Sequence, residues 1–353
     1  AFGVLVLRTP FFSMNILQYG KNPYFIKELE SLGHTVFRIG ETDQCDLKLT
    51  SVMSARQAVQ VCTSKGFVPD VFLYADDSTL PHLFGIEDLP VPSIFFSIDT
   101  YCHRWHGSYA HAFDYVLYAQ AEEAEKFPAC AEHFPLFATQ FAEEESKEEW
   151  LAKRDIPIAF VGTLGHKNNP DRNSFYTLFK AFHPIFITSG NFVPIYLRSK
   201  IILNQSAVGE LNFRTFEAMA LGCACLADNV PTKKNHIGEI FNFGVNSLPA
   251  YPRLDVAKAV DFSLYWLAKE QEDELYQIAM QGRKLVQEKH SVSARVLRLL
   301  ELFQKLLAEN AVQERRKTLA ERKKTIAQAF SFLAEQSVIN SQLVQVYADI
   351  AKK

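Results

Sequence analysis

Short apolar runs of strand length alternate along most of this chain with stretches whose apolar residues recur at helical spacing. Strands are expected at residues 2–8, 35–39, 71–74, 92–97 and 115–118, with helical patterns at 24–32, 52–65 and 122–127. A second series follows, with strands at 158–161, 185–188, 201–203 and 223–227 and helices at 174–181, near 212–222, 255–269 and 272–288. Strands alternating with helices predict parallel sheets covered on both faces. Between the two series, residues 142–155 read AEEESKEEWLAKRD, an acidic, apolar-poor run expected to be a linker with a short solvated helix.

From residue 310 onward the chain holds no Pro or Gly, and Val312, Leu319, Ile326 and Leu333 repeat every seven positions. The other core position of that heptad carries Arg316 and Lys323, so a full coiled-coil seam is weak. A helical hairpin packed on the body, or an arm for a homo-oligomer or partner through 309–353, fits better. The basic residues Arg315, Arg316, Lys317, Arg322, Lys323 and Lys324 read as a solvated face, with peripheral contact to an anionic membrane or an acidic partner as the alternative.

Composition narrows the class. The chain has 353 residues, 48% hydrophobic and 22% charged, which suits a two-domain globular protein. A net charge of -3 argues against general nucleic-acid binding. No apolar run approaches membrane-spanning length, and none reads as a signal peptide ahead of the first strand. The six cysteines (Cys45, Cys62, Cys102, Cys130, Cys223, Cys225) show no Cys-x-x-Cys spacing and are expected to be free thiols in a reducing cytoplasm. The loop after the first expected strand, TPFFSMN, lacks Gly-x-Gly-x-x-Gly, which removes the main support for a dinucleotide-dependent oxidoreductase.

The chemistry concentrates in residues 196–229, YLRSKIILNQSAVGELNFRTFEAMALGCACLADN. The pattern is strand, loop of small residues, helix, strand. A helix starting near Asn212 turns its unpaired amides toward that loop, the arrangement of an anion site. Arg214 and Glu217 lie three apart and share a helix face, offering a cation to phosphate oxygens and a carboxylate to ribose hydroxyls.

This run resembles the second half of GT-B glycosyltransferases, most closely the CgeB-like (spore-maturation-type) glycosyltransferases of bacteria. Their segments run roughly "ski.lN.s..gdlnmR.fEa.a.G", and Asn204, Ser206, Gly209, Leu211, Asn212, Arg214, Phe216, Glu217, Ala218 and Gly222 stand at the matching places. The resemblance implies a fold of two Rossmann-like doubly wound parallel-sheet domains facing a cleft, plus a C-terminal helical extension. An acceptor domain would span 1–140, a linker 141–155, a donor domain 156–290, a crossover helix 291–308 and the extension 309–353. It implies a hexosyltransferase-type enzyme with no cofactor, whose donor is a nucleoside diphosphate sugar, foremost a UDP-sugar, and whose acceptor is a glycan or protein. In retaining relatives two glutamates eight apart flank the donor; Glu217 matches the second, and Gly209, with Glu210 beside it, stands at the first.

Further roles follow from that resemblance. In the loop GTLGHKNNPDR after strand 158–161, Gly162, Lys167 and Arg172 stand where GT-B proteins approach the leaving diphosphate. With Asn204, Gly209, Asn212, Arg214 and Glu217 they form the expected donor set, in which no metal ion takes part. In the first half, ligands of a doubly wound sheet meet the carboxyl ends of its strands, which points to the Asp76-Asp77 loop and to 99–106. Asp99 is the expected catalytic base, with His103 and His106 as further base or acceptor contacts. A metal at His103 and His106 is disfavoured because no partner ligand stands at metal spacing, and Asp76-Asp77 is expected to be a turn or acceptor contact. His290 and Arg295 resemble the family's "HtY..R" ending. A sugar-nucleotide 2-epimerase of the same fold and a non-catalytic scaffold acting through the C-terminal helices remain open readings.

Overall fold

A computed structural model of the chain describes residues 12–165, 168–230, 236–336 and 341–352. It divides into two compact units: residues up to Phe134 together with those from Arg295 onward, and Pro135–Ala294.

The sheet of the first unit contains β1 (Asn15–Tyr19), β2 (Thr35–Gly40), β3 (Leu47–Lys48), β4 (Val71–Ala75), β5 (Ser93–Ser97), β6 (Tyr115–Tyr118) and β7 (Ala131–His133). All pairs are parallel, in the order β3-β2-β1-β4-β5-β6-β7. Strand β4 is buried along its whole length, as the central position of a sheet covered on both faces requires. The strand expected at 2–8 lies outside the described residues. The first described strand, NILQY, starts at the end of the TPFFSMN loop and falls in a segment to which the sequence assigns no element. Its signal is masked by Gln18, which is wholly buried, its side-chain amide nitrogen donating to the Asn22 carbonyl at 3.0 Å.

In the second unit β8 (Ile156–Val161), β9 (Phe186–Thr188), β10 (Ser199–Asn204), β11 (Ala224–Asn229) and β12 (Tyr251–Pro252) form an all-parallel sheet in the order β9-β8-β10-β11-β12. The acidic run before it carries the expected short helix, with Glu143, Glu144, Glu148 and Glu149 exposed, but it also sends side chains into the interior. Its helix Lys147–Lys153 buries Trp150 completely, and the indole N–H donates to the Gly222 carbonyl at 2.8 Å. Arg154, 2% exposed, donates to the carbonyls of Tyr196, Leu197, Ser199 and Leu221 and pairs with Glu145 at 3.0 Å. Ion pairing explains how charges that read as a surface end up inside.

The helix Val292–Ala308 begins in the second unit and continues in the first, where the helices Ala311–Lys317, Leu319–Gln336 and Ser341–Ala351 follow. The last two bury Ile326, Ala329, Phe330, Leu333, Leu343 and Tyr347 in one core with Tyr74, Phe95, Tyr109 and Phe113. The heptad therefore serves the chain's own core. The basic run is likewise only partly solvated. Arg315 is 1% exposed, ion-paired with Asp114 and bonded to Ser93 Oγ at 3.1 Å, while Arg322 donates to the His111 and Phe113 carbonyls at 3.0 and 2.8 Å. Lys323 reaches Asp88 at 3.0 Å.

Candidate functional site

In the second sheet the chain winds outward in both directions from the neighbours β8 and β10, so the crevice beyond their carboxyl ends is a topological switch point. Strand β8 delivers Phe160 and Val161 to it, followed by Gly162; strand β10 delivers Asn204. Arg214, in the first turn of the helix Phe213–Ala220, sits over the Phe160 ring at 4.6 Å, donating from Nε to the Val161 carbonyl at 3.2 Å and from Nη1 to Asn204 Oδ1 at 2.8 Å. A Cβ on residue 162 would fall 2.6 Å from Arg214 Nη2 and 3.0 Å from the Phe160 ring, so the guanidinium can lie there only against glycine. Arg172 approaches the same ring at 5.7 Å, bonded to the Thr163 carbonyl and to Gln205 Oε1, each at 3.2 Å. Two guanidinium groups are thus anchored on strand-end carbonyls around one aromatic face. Lys167 lies outside the described residues.

Asn212 is the N-cap of the helix, but its side chain does not cap it. It exchanges hydrogen bonds with Asn204 at 3.1 and 3.3 Å, and Asn204 also reaches Thr215 Oγ1 at 3.0 Å. The side chain is held away from the first-turn amides, which keeps the positive end of the helix uncapped by it. Glu217 lies one turn further on and is half-buried. Burial raises its carboxyl to about 7, against the opposing pull of the Arg214 guanidinium.

The loop between β10 and the helix turns its own amides inward. Its amides bind the protein's own acids. Ala207 and Val208 donate to the two oxygens of Glu210 at 2.9 and 2.7 Å, Ser206 N donates to Asp228 at 2.8 Å, and Gly209 N donates to Ser206 Oγ at 2.8 Å. Glu210 therefore holds the loop together. Gly209 has φ +92°, and a Cβ there would meet Val230 Cγ2 at 2.4 Å. Gly209, Asn204, Thr215, Asp228 and Asn229 line a narrow crevice at this end of the sheet. Asp228 is buried within it, and burial raises its carboxyl to about 6. The sequence marks its loop only as a strand end; its role in holding Ser206 depends on the register of β10 against β11.

In the first unit the corresponding strand ends carry the other expected residues. Asp76, directly after β4, is wholly buried: its Oδ2 accepts from the amides of Ile98 and Asp99, both at 3.0 Å, and its Oδ1 from Ser78 N at 2.9 Å. Burial, then the nearby charge of Asp99, raise the Asp76 carboxyl to about 7. Asp77 accepts from Lys21 N at 2.7 Å, so both acids organise turns. Ser78 adopts φ 60°, an unusual value for a residue with a side chain, and directs its hydroxyl onto Asp99 Oδ2. Asp99 precedes a single helical turn at Thr100–Cys102 but makes no side-chain cap bond, and it is only partly buried. His106 is fully enclosed, with Nδ1 at 2.8 Å from Ser97 Oγ and Nε2 at 3.9 Å from Asp76 Oδ1. An imidazole so enclosed acts on its neighbours and does not meet an acceptor directly. His103 is half-buried, its ring 4.8 Å from that of His106.

Residues 147–301 match the family model described as "Glycosyl transferase-like" and form a domain of that kind. No curated protein sequence matches the chain. Among solved structures, a glycosyltransferase from Rickettsia africae is similar at a TM-score of 0.58 and 12% identity, covering 84% of this chain and 99% of that one. Alr3699/HepE of Anabaena, solved in complex with UDP, is similar at a TM-score of 0.56 and 11% identity, covering 84% of this chain and 100% of that one. In complex with UDP-glucose the same protein gives a TM-score of 0.57 at 10% identity over 84% and 100%. These likenesses show the fold: GT-B, with two Rossmann-like parallel-sheet domains and additional C-terminal helices.

Proposed function

We propose that the protein is a hexosyltransferase of the CgeB-like type that moves a sugar from a nucleoside diphosphate sugar, foremost a UDP-sugar, to a hydroxyl of a glycan or protein acceptor. The observation that carries this is the pair of guanidinium groups, Arg172 and Arg214, anchored around Phe160 at the switch point beside an N-terminus that Asn212 leaves uncapped. Departure of a nucleoside diphosphate builds negative charge on its oxygens, and preorganised cations in fixed positions stabilise that charge without the cost of reorganisation. Gly162 admits the close approach, and Asn204 and Asn212 fix Arg214 and the start of its helix. Glu217, one turn on, accepts from the ribose hydroxyls. The UDP and UDP-glucose complexes of HepE, which shares the fold, support a uridine donor.

In this reading Asp99 takes the acceptor proton. It is partly exposed, follows a strand end, and its carboxylate is aimed by Ser78 rather than used as a helix cap. The cations and helix N-terminus take the place of a magnesium or manganese ion at the diphosphate. A thermal-shift screen with UDP, GDP, ADP, TDP and CMP tests the donor site, because a ligand that binds only the folded state raises its melting temperature. UDP is expected to give the largest shift, and adding magnesium to change it little. No shift with any nucleotide would reject the reading.

A further inference from the structure

Asp76 and the two imidazoles of the 99–106 loop stand far apart in sequence, yet adjacent strands β4 and β5 bring them together. One ligand atom from each of Asp76, His103 and His106 lies within 4.8 Å of the others. We propose that these three side chains bind a single divalent transition-metal ion, zinc by the nature of the donors, inside the first unit.

Two imidazole nitrogens and one carboxylate oxygen form a donor set that zinc takes with a fourth position left open. Bonds of that type hold ligand atoms about 3.3 Å apart in a tetrahedron. His106 Nε2 and Asp76 Oδ1 are at 3.9 Å, so a small rotation suffices, and half-buried His103 supplies the third ligand atom within 4.8 Å of the others. The surroundings are built as metal sites are. His106 Nδ1 contacts Ser97 Oγ at 2.8 Å, and Ser97 contacts Thr100 Oγ1 at 2.6 Å, a chain that fixes the ring with Nε2 toward Asp76. The Asp76 carboxylate is oriented by three backbone amides, two on Oδ2 and one on Oδ1, which leaves Oδ1 lone-pair capacity on the side of His106.

The independent observation is His106 itself. The residue is fully buried, and its Nε2 has no hydrogen-bond partner among the described residues. A buried polar atom without a partner is rare and calls for an explanation, and an ion bound at that position would supply one. A Met-rich or thiolate-rich shell would suit a softer ion and an all-oxygen shell a harder one; the set present suits neither. An ion there would join the ends of β4 and β5 and hold the loop carrying Asp99, whose amide rests on the same carboxylate. It would also make His103 and His106 ligands, with the base role resting on Asp99.

The test titrates zinc chloride into chelator-stripped full-length protein by calorimetry, with cobalt(II) substitution followed by visible absorption. The expected result is one ion per chain and the ligand-field bands of a four-coordinate nitrogen and oxygen site. His103→Ala, which alters a half-exposed side chain, should keep the native circular dichroism and bind zinc at least about tenfold more weakly. Asp76→Asn, which preserves shape, should weaken it similarly. Stoichiometric zinc uptake unchanged in a folded His103→Ala protein would overturn the proposal, as would no uptake by the wild type at micromolar zinc. Neither readout involves a nucleotide or sugar, so either outcome leaves the glycosyl-transfer reading to its own test.

Discussion

Glu217 carries two linked expectations at the scale of single residues. Its carboxyl titrates near 7 in the folded chain, above the roughly 4.3 of an unfolded glutamate, so the folded state holds the extra proton between those values. Any stability this gives is complete below the unfolded value and is lost as pH rises through about 7. Ribose hydroxyls donate best to the ionised form, so donor affinity should move oppositely, rising roughly tenfold between pH 6 and 8 if only the carboxylate binds. Calorimetry with UDP on wild type and Glu217→Gln separates this from titration of the diphosphate, which both proteins share. Parallel pH profiles would remove Glu217 from the ribose. For Asp99, the absence of a side-chain cap sharpens the outcome of Asp99→Asn: turnover should fall by roughly 100-fold or more with UDP affinity unchanged. Near-normal turnover would make Asp99 structural. Arg214 and Glu217 were legible because a helical period of three to four residues puts them together. The partners of Glu210 and Asp76 were not legible, because each carboxylate satisfies amides whose positions exist only once the loop is folded.

Elements were easiest to read where burial on both faces produced an unbroken apolar run, as in β4 and β5, and hardest where a polar side chain interrupted it, as Gln18 does in β1. Charged helices misled for two reasons: Lys147–Lys153 buries a lone aromatic, Trp150, in a charged run, whereas Ala311–Lys317 buries Arg315, and charge composition cannot reveal an ion pair made with a residue as distant in the chain as Asp114. Arg315 is the clearest case. It donates to Asp114, to Ser93 and to the Leu89 and Val91 carbonyls, so truncating it leaves an acid and several acceptors buried together. Arg315→Ala should lower stability by about 3–5 kcal/mol, read from urea unfolding. A loss under about 1 kcal/mol would mean water enters and rescues the site.

At the scale of the whole molecule, the alternation of periods was enough to give two parallel sheets. What it could not give was the return of the chain's last helices to the first sheet, since the heptad of Ile326 and Leu333 looks the same whether it packs on a neighbour or on a second copy. The second unit is one continuous stretch, Pro135–Ala294, and the first is not. Removing residues 319–353 should therefore expose the seat of Phe330 and Tyr347, raising binding of the dye ANS, and leave UDP affinity close to that of the full chain. Loss of UDP affinity together with the rise in ANS binding would show that the two units are not separable in stability.

The return of those helices also sets an order of events on the ribosome. Chains emerge from their N-terminus, and domains generally fold as they appear. Here the sheet that is translated first lacks part of its interior until Ile326, Phe330, Leu333 and Tyr347 have been made, whereas the second sheet has all its residues earlier. The nascent chain must carry an unfinished apolar face around Tyr109 until the helices that hold Phe330 and Tyr347 emerge. Slow translation of the stretch that encodes these helices, or scarcity of the chaperones that shield such faces, should lower the yield of native protein more than a destabilising change of equal size in the second unit.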